Sequence, residues 1–99
     1  MTAAPKGPLD AMEAEEVAER FAALADANRL LILDHLLRVG EAPVGEIAVA
    51  VGASQQNTSK HLAVLRRADW LTRRKRGTST LYRVRDESVS RVSRFWGQR

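Results

Sequence analysis

The residues of this 99-residue chain best equipped for chemistry gather in its second half. Ser54, Gln55, Gln56, Asn57, Ser59, Lys60, His61 and Arg67 lie close together, and Arg73-Arg74-Lys75-Arg76 follows as an unbroken basic run. Glutamine and asparagine amides carry a donor and an acceptor side by side, which matches the major-groove edge of adenine. Lysine and arginine reach guanine or phosphate oxygens. That is recognition chemistry rather than bond-making chemistry. The chain has no cysteine, so thiolate nucleophiles, thiolate metal sites, disulfides and thiol switches are excluded. Its two histidines, His35 and His61, are far apart in sequence, whereas a zinc site needs three or four convergent ligands. No Ser-His-Asp order or paired-carboxylate cleft can be assembled, and Gly45 to Gly52 lacks the G-x-G-x-x-G spacing of a phosphate loop. No enzyme, metal site or cofactor is expected.

These polar residues need helices and a turn to hold them. From Asp10 the positions Met12, Val17, Phe21 and Leu24 recur at helical spacing, with acidic residues in the first turns where the macrodipole favours them. Asp26 is placed to cap a second helix over Ala27–Val39, dense in leucine and isoleucine and so central to the core, with Gly40 ending it. A short third helix over Val44–Val51 turns Ile47, Ala48 and Val51 inward and stops at Gly52. Ser54 caps a fourth, running to about Ala68. The period then shortens, and Trp70–Arg74 and Thr78–Val84 read as a hairpin around Lys75-Arg76-Gly77. Asp86 or Ser88 opens a last helix with Val89, Val92 and Trp96 on one stripe. The expected architecture is mainly α with a β-hairpin wing, in the order α-α-α-α-β-β-α. Residues 1–9, with Pro5, Gly7 and Pro8, are expected to form a disordered arm before a single domain over 10–99. No stretch has the length of a bilayer span and no secretory signal opens the chain, so a cytoplasmic, membrane-free protein is expected.

The third and fourth helices, joined by Gly52-Ala53, make a helix-turn-helix. Projected at 100° per residue, the fourth helix places Thr58, Leu62 and Leu65 inward. Gln56, Lys60, Ala63 and Arg67 fall opposite, with Asn57 and Ser59 on the flanks. An ordinary solvated polar face would look similar. The neighbouring hairpin argues otherwise, because four adjacent cations repel one another unless an anion is near. Charge placement agrees: residues 54–99 carry twelve Lys and Arg against Asp69, Asp86 and Glu87, a net of +9, while the preceding residues are net acidic. A polyanion met by one side of the molecule accounts for this asymmetry, and double-stranded DNA is the expected partner. The rival is a winged-helix module that binds protein and no DNA. The apolar face of the first helix (Met12, Val17, Phe21) and the stripe Val89, Val92, Trp96 exceed what one small core covers, so a homodimer through these residues is expected.

Three segments resemble the ArsR-type winged-helix repressors. Ala22 to Leu33 resembles their "LADPTRLRIL" segment, Ser54 to Arg66 their recognition motif "SQxxxSxHLxxLR", and Arg73 to Val84 their wing "RREGxxxYYxL". The resemblance spans about residues 10–97. It implies a homodimer joined through first and last helices, two recognition helices presented to an inverted repeat, and repression relieved by an effector. Arsenite- and soft-metal-sensing relatives place cysteines in the third helix, where this chain has Pro43-Val44-Gly45-Glu46-Ile47. Zinc- and nickel-sensing relatives place Asp and His along the last helix, which here has no His, and thiol-based redox relatives often carry a cysteine near Ser93. Regulation by an organic ligand near Trp96, by a partner protein, or by the regulator's own abundance is the remaining expectation.

Overall fold

Asp10 starts the first helix by accepting from the Glu13 amide at 2.8 Å, and Glu13 accepts in return from the Asp10 amide at 3.1 Å. This capping box satisfies two otherwise orphaned N–H groups and opens α1, Ala11–Ala22. Asp26 caps α2, Ala27–Val39, through the Arg29 amide at 3.1 Å. That hydrogen bond holds the Asp26 carboxyl below its ordinary value. The computed structural model describes residues 8–86, in the order α1, α2, β1 (Glu41–Pro43), α3 (Val44–Val51), α4 (Gln55–Arg67), β2 (Leu71–Arg76) and β3 (Ser79–Val84). All but Pro8 and Leu9 of the expected arm, and the last helix with Val89, Val92 and Trp96, lie outside the described residues.

The four helices stand close to their expected bounds, and α2 and α3 match residue for residue. The sheet differs. It has three antiparallel strands in the order β1-β3-β2, not the two of a bare hairpin. β1 pairs Glu41 with Arg83, Ala42 with Tyr82 and Pro43 with Leu81. Three residues are too short to show an alternation, and Pro43 weakens any strand reading. Proline has no N–H to donate, so it is tolerated here because β1 is an edge. The hairpin turn also falls later than expected, at Gly77-Thr78, where Gly77 has φ +63°. β2 therefore carries the whole basic run.

The core lies between α2, α3, α4 and one face of the sheet. Ile32, Leu33 and Leu36 from α2 meet Ile47 from α3 and Leu62 and Leu65 from α4. Ala42, Leu71 and Val84 close it from the sheet side, with Tyr82 partly buried against it. Fully burying each Leu or Ile stabilises by roughly 1.5–3 kcal/mol, so this cluster fixes the angle between α3 and α4. Trp70 is 3 % exposed, and its indole N–H donates to the Arg20 carbonyl at 2.6 Å. Phe21 meets the same ring edge-on at 5.4 Å between centroids. The C-terminal end of α1 is thus tied to the junction between α4 and β2.

Candidate nucleic-acid interface

The two helices of the helix-turn-helix each end in the same way. At the end of α3, Gly52 is left-handed (φ 71°), its amide donates to Val49, and the Ala53 amide returns to Ala48 at 3.1 Å. At the end of α4, Asp69 takes the left-handed position at φ 66°, its amide donating to Arg66 and the Trp70 amide to Leu65. These paired backbone bonds satisfy the last carbonyls and turn the chain sharply. Aspartate tolerates that conformation better than most side chains do. Between the two stops, the Ser54 hydroxyl accepts from the Asn57 amide at 3.0 Å and starts α4.

The inner face of α4 is as expected: Thr58, Leu62 and Leu65 are completely buried. The outer face is open, with Gln55, Gln56, Asn57, Ser59, Lys60 and Arg67 all exposed. Ala63 is half-buried rather than fully outward. His61 is also half-buried. Its Nδ1 is enclosed with no hydrogen-bond partner among the described residues, as is the Thr58 hydroxyl. The histidine lies near enough to Asp26 to add to the lowering of that carboxyl's pKa. It packs inward from the exposed face of α4, where the amides of Gln55, Gln56 and Asn57 are open.

Register divides the basic run into two faces. Arg73 pairs with Tyr82 and Lys75 with Thr80, on the sheet face that carries Leu71 and Val84 and packs on the helices. Arg74 pairs with Leu81 and Arg76 with Ser79, on the opposite face. Arg73, Lys75 and Arg76 are exposed and make no ion pair among the described residues. Arg74 is different: its Nε donates to Glu41 Oε2 at 3.0 Å, and its Nη2 donates to Oε1. The hydrogen bond from Arg74 holds the Glu41 carboxyl below its ordinary value, and Glu41 in turn raises the Arg74 guanidinium. Sequence reasoning missed Glu41, because its role depends on β1, which gave no periodic signal.

An open groove of about 980 Å3 separates the start of α4 from the wing, bounded by Gln55, His35, Glu46, Thr80 and Tyr82 among others. His35 is half-buried at its rim. Among the described residues, no three His, Asp or Glu side chains converge so as to hold a metal ion. Nor is any described helix long and apolar enough to cross a membrane.

A helix-turn-helix followed by a hairpin with a basic rim is the arrangement of winged-helix regulators. Over residues 26–79, from the cap of α2 to the first residue of β3, the chain matches the MarR family. This protein belongs to that family of winged helix-turn-helix regulators. Among relatives, this MarR-family chain is 38% identical to the HTH-type transcriptional regulator NmtR of Mycobacterium tuberculosis, covering 89% of this chain and 72% of NmtR. It is 33% identical to the arsenical resistance operon repressor of Bacillus subtilis, covering 73% of this chain and 69% of that protein. Its fold also matches a solution structure from Mycobacterium bovis. That structure is the homodimeric winged helix-turn-helix DNA-binding domain of a possible ArsR-family transcriptional regulator. The match has TM-score 0.77 at 34% identity, covering 91% of this chain and 82% of the other. The MarR-family match and these relatives agree on the fold and on the class of protein: a DNA-binding transcription regulator with a winged helix.

Proposed function

We propose that this MarR-family regulator is a repressor of the ArsR type, binding an inverted-repeat operator as a homodimer. In this reading α4 enters the major groove, and Ser54, Gln55, Gln56, Asn57, Ser59 and Lys60 face the bases or the flanking phosphates. His61 supports the helix from its inner edge and Arg67 reaches the backbone. The wing follows the backbone or minor groove through Arg73, Lys75 and Arg76, setting the register in which α4 reads. The observation that carries the reading is the pairing of an exposed amide-rich helix face with exposed wing cations, both projecting beyond the core that fixes them.

The dimer rests on α1. Met12 is 73% exposed, Phe21 47% and Val17 37%, so the apolar face of that helix has no cover among the described residues. A second copy of α1 is the simplest cover, joined by the stripe Val89, Val92 and Trp96. Two-fold pairing then spaces the reading heads by about 34 Å, one turn of DNA, or a multiple of that. The effector is an organic ligand or a protein partner rather than a metal ion.

Binding of Gln56→Ala and Arg73→Ala to the preferred operator and to random duplex tests the assignment. Gln56→Ala is expected to cost about 1–3 kcal/mol on the operator and much less on random DNA. Arg73→Ala is expected to weaken both alike and to flatten the salt slope by about 0.9. Equal losses for both variants on both DNAs would mean that the reading face lies elsewhere. No DNA binding at all would favour a protein-interaction module on the same scaffold.

A further inference from the structure

Four adjacent cations in β2 suggest four phosphate contacts, yet one of them is already occupied. Arg74 lies on β2 and Glu41 on β1, the two outer strands of the sheet. Their positions on the middle strand are Leu81 and Arg83, two residues apart. The ion pair therefore reaches across β3, on the face turned away from the main apolar cluster. Leu81, on that face beside Arg74, is only 7% exposed. Both N–H groups on one side of the guanidinium are engaged, by two different carboxylate oxygens. A carboxylate held in this way presents the same pair of acceptors that a phosphate would offer. It is also on the same chain, so its effective concentration is high whether or not DNA is near. Exposed ion pairs contribute little to stability. What this one controls is the number of cations left for an external anion.

We infer that Glu41 is a built-in phosphate mimic that withholds Arg74 from DNA, so that the wing meets the backbone with Arg73, Lys75 and Arg76 alone. The inference rests on the DNA-binding reading above. Glu41 is thereby a positioning residue: it sets the charge count of the wing and ties the wing to β1, the strand that leads directly into α3.

The test is the slope of log K against log salt on random duplex, measured by fluorescence anisotropy for wild type and four variants. Thermal melts establish that each variant is folded. Arg74→Gln is expected to leave the slope unchanged, because the removed charge was not at a phosphate. Glu41→Gln is expected to steepen it by about 0.9, one more phosphate neutralised, and to tighten binding several-fold at low salt. The double variant is expected to return to the wild-type slope. Arg74→Lys, which keeps the charge but loses the fork that Glu41 grips, should steepen the slope in the same direction as Glu41→Gln. A merely structural role for the pair does not produce that gain. Flattening by Arg74→Gln alone, or an unchanged slope in Glu41→Gln, would overturn the inference while leaving the DNA-binding reading intact. Absence of salt-dependent binding in the wild type would overturn that reading itself, and the inference with it.

Discussion

Helices α1 and α4 are nearly the same length, 12 and 13 residues, and both are amphipathic, yet they leave opposite faces in water. α4 buries Thr58, Leu62 and Leu65 completely and exposes amides and cations. α1 buries no residue at all and exposes Met12, Val17 and Phe21. Among the described residues its C-terminal end is held by the Trp70 indole on the Arg20 carbonyl and the edge contact with Phe21. An amphipathic pattern therefore says that a face must be covered, but not by which molecule. In α4 the cover is this chain's own core, and the polar face left over suits a polyanion. In α1 the exposed apolar stripe has no cover among the described residues, and a stripe of that kind suits a second surface, as the proposed dimer would supply.

The strongest way to break this comparison is to attack the inner face of α4. Leu62→Ala removes a fully buried α4 side chain from the core cluster, and is expected to cost about 2–5 kcal/mol in denaturant unfolding. DNA binding should fall with it, since the proposed reading face is aimed by that packing. A cost below about 1 kcal/mol would show that α4 is not seated in the core as described. On α1 the corresponding attack should act through association. Val17→Asp places a charge on the exposed apolar stripe, and is expected to raise the dimer dissociation constant at least tenfold, ~1.4 kcal/mol. Sedimentation velocity over a concentration series reads this directly. An unchanged dimer, or a wild type that is monomeric at micromolar concentration, would assign the α1 face to another partner.

Much of the fold is legible in the residues themselves. Asp10, Asp26 and Ser54 mark three helix starts by the hydrogen bonds they accept, and Gly40 and Gly52 mark two ends. The inward set Thr58, Leu62, Leu65 follows from a 3.6-residue period, and the expected reading face of α4 is open apart from half-buried Ala63 and His61. β1 was not legible, because Glu41-Ala42-Pro43 is shorter than any period and ends in a residue that avoids central strands. The division of Arg73 to Arg76 between two faces was not legible either, because the turn was expected at Lys75-Arg76-Gly77 while the strand, with its alternating faces, runs on to Arg76. Asp69 as a left-handed stop is equally hidden, because that position more often holds glycine. The interactions missed are those set by pairing across strands, where sequence neighbours point apart and distant residues meet.

A smaller effect sharpens the account of α4. Ser54→Ala removes the hydroxyl that accepts from the Asn57 amide, and is expected to destabilise the protein by about 1 kcal/mol. Chemical denaturation measures the loss. Ser54→Asp should restore most of it, because a carboxylate caps as well and suits the positive end of the helix dipole. Failure of that rescue would place the contribution of Ser54 outside capping.

The smallest expected effect is none at all, in the response to metals and oxidants. Arsenite and cadmium bind most strongly to polarizable thiolates, and this chain contains no cysteine. Its two methionines, Met1 and Met12, both lie near the N-terminus, and Met12 projects from the open face of α1. Zinc accepts imidazole and carboxylate, but His35 sits at the rim of the groove beside α3 while His61 is on the inner edge of α4. The sequence beyond Asp86 contains no histidine to place at a dimer seam. Peroxide has no thiol to oxidise. Micromolar arsenite, cadmium, zinc or peroxide is therefore expected to leave the protein–DNA complex intact, in a release titration run with chelator controls. Stoichiometric release by any one of the four would overturn the reading. It would also mean that effector ligands come from residues given other roles above.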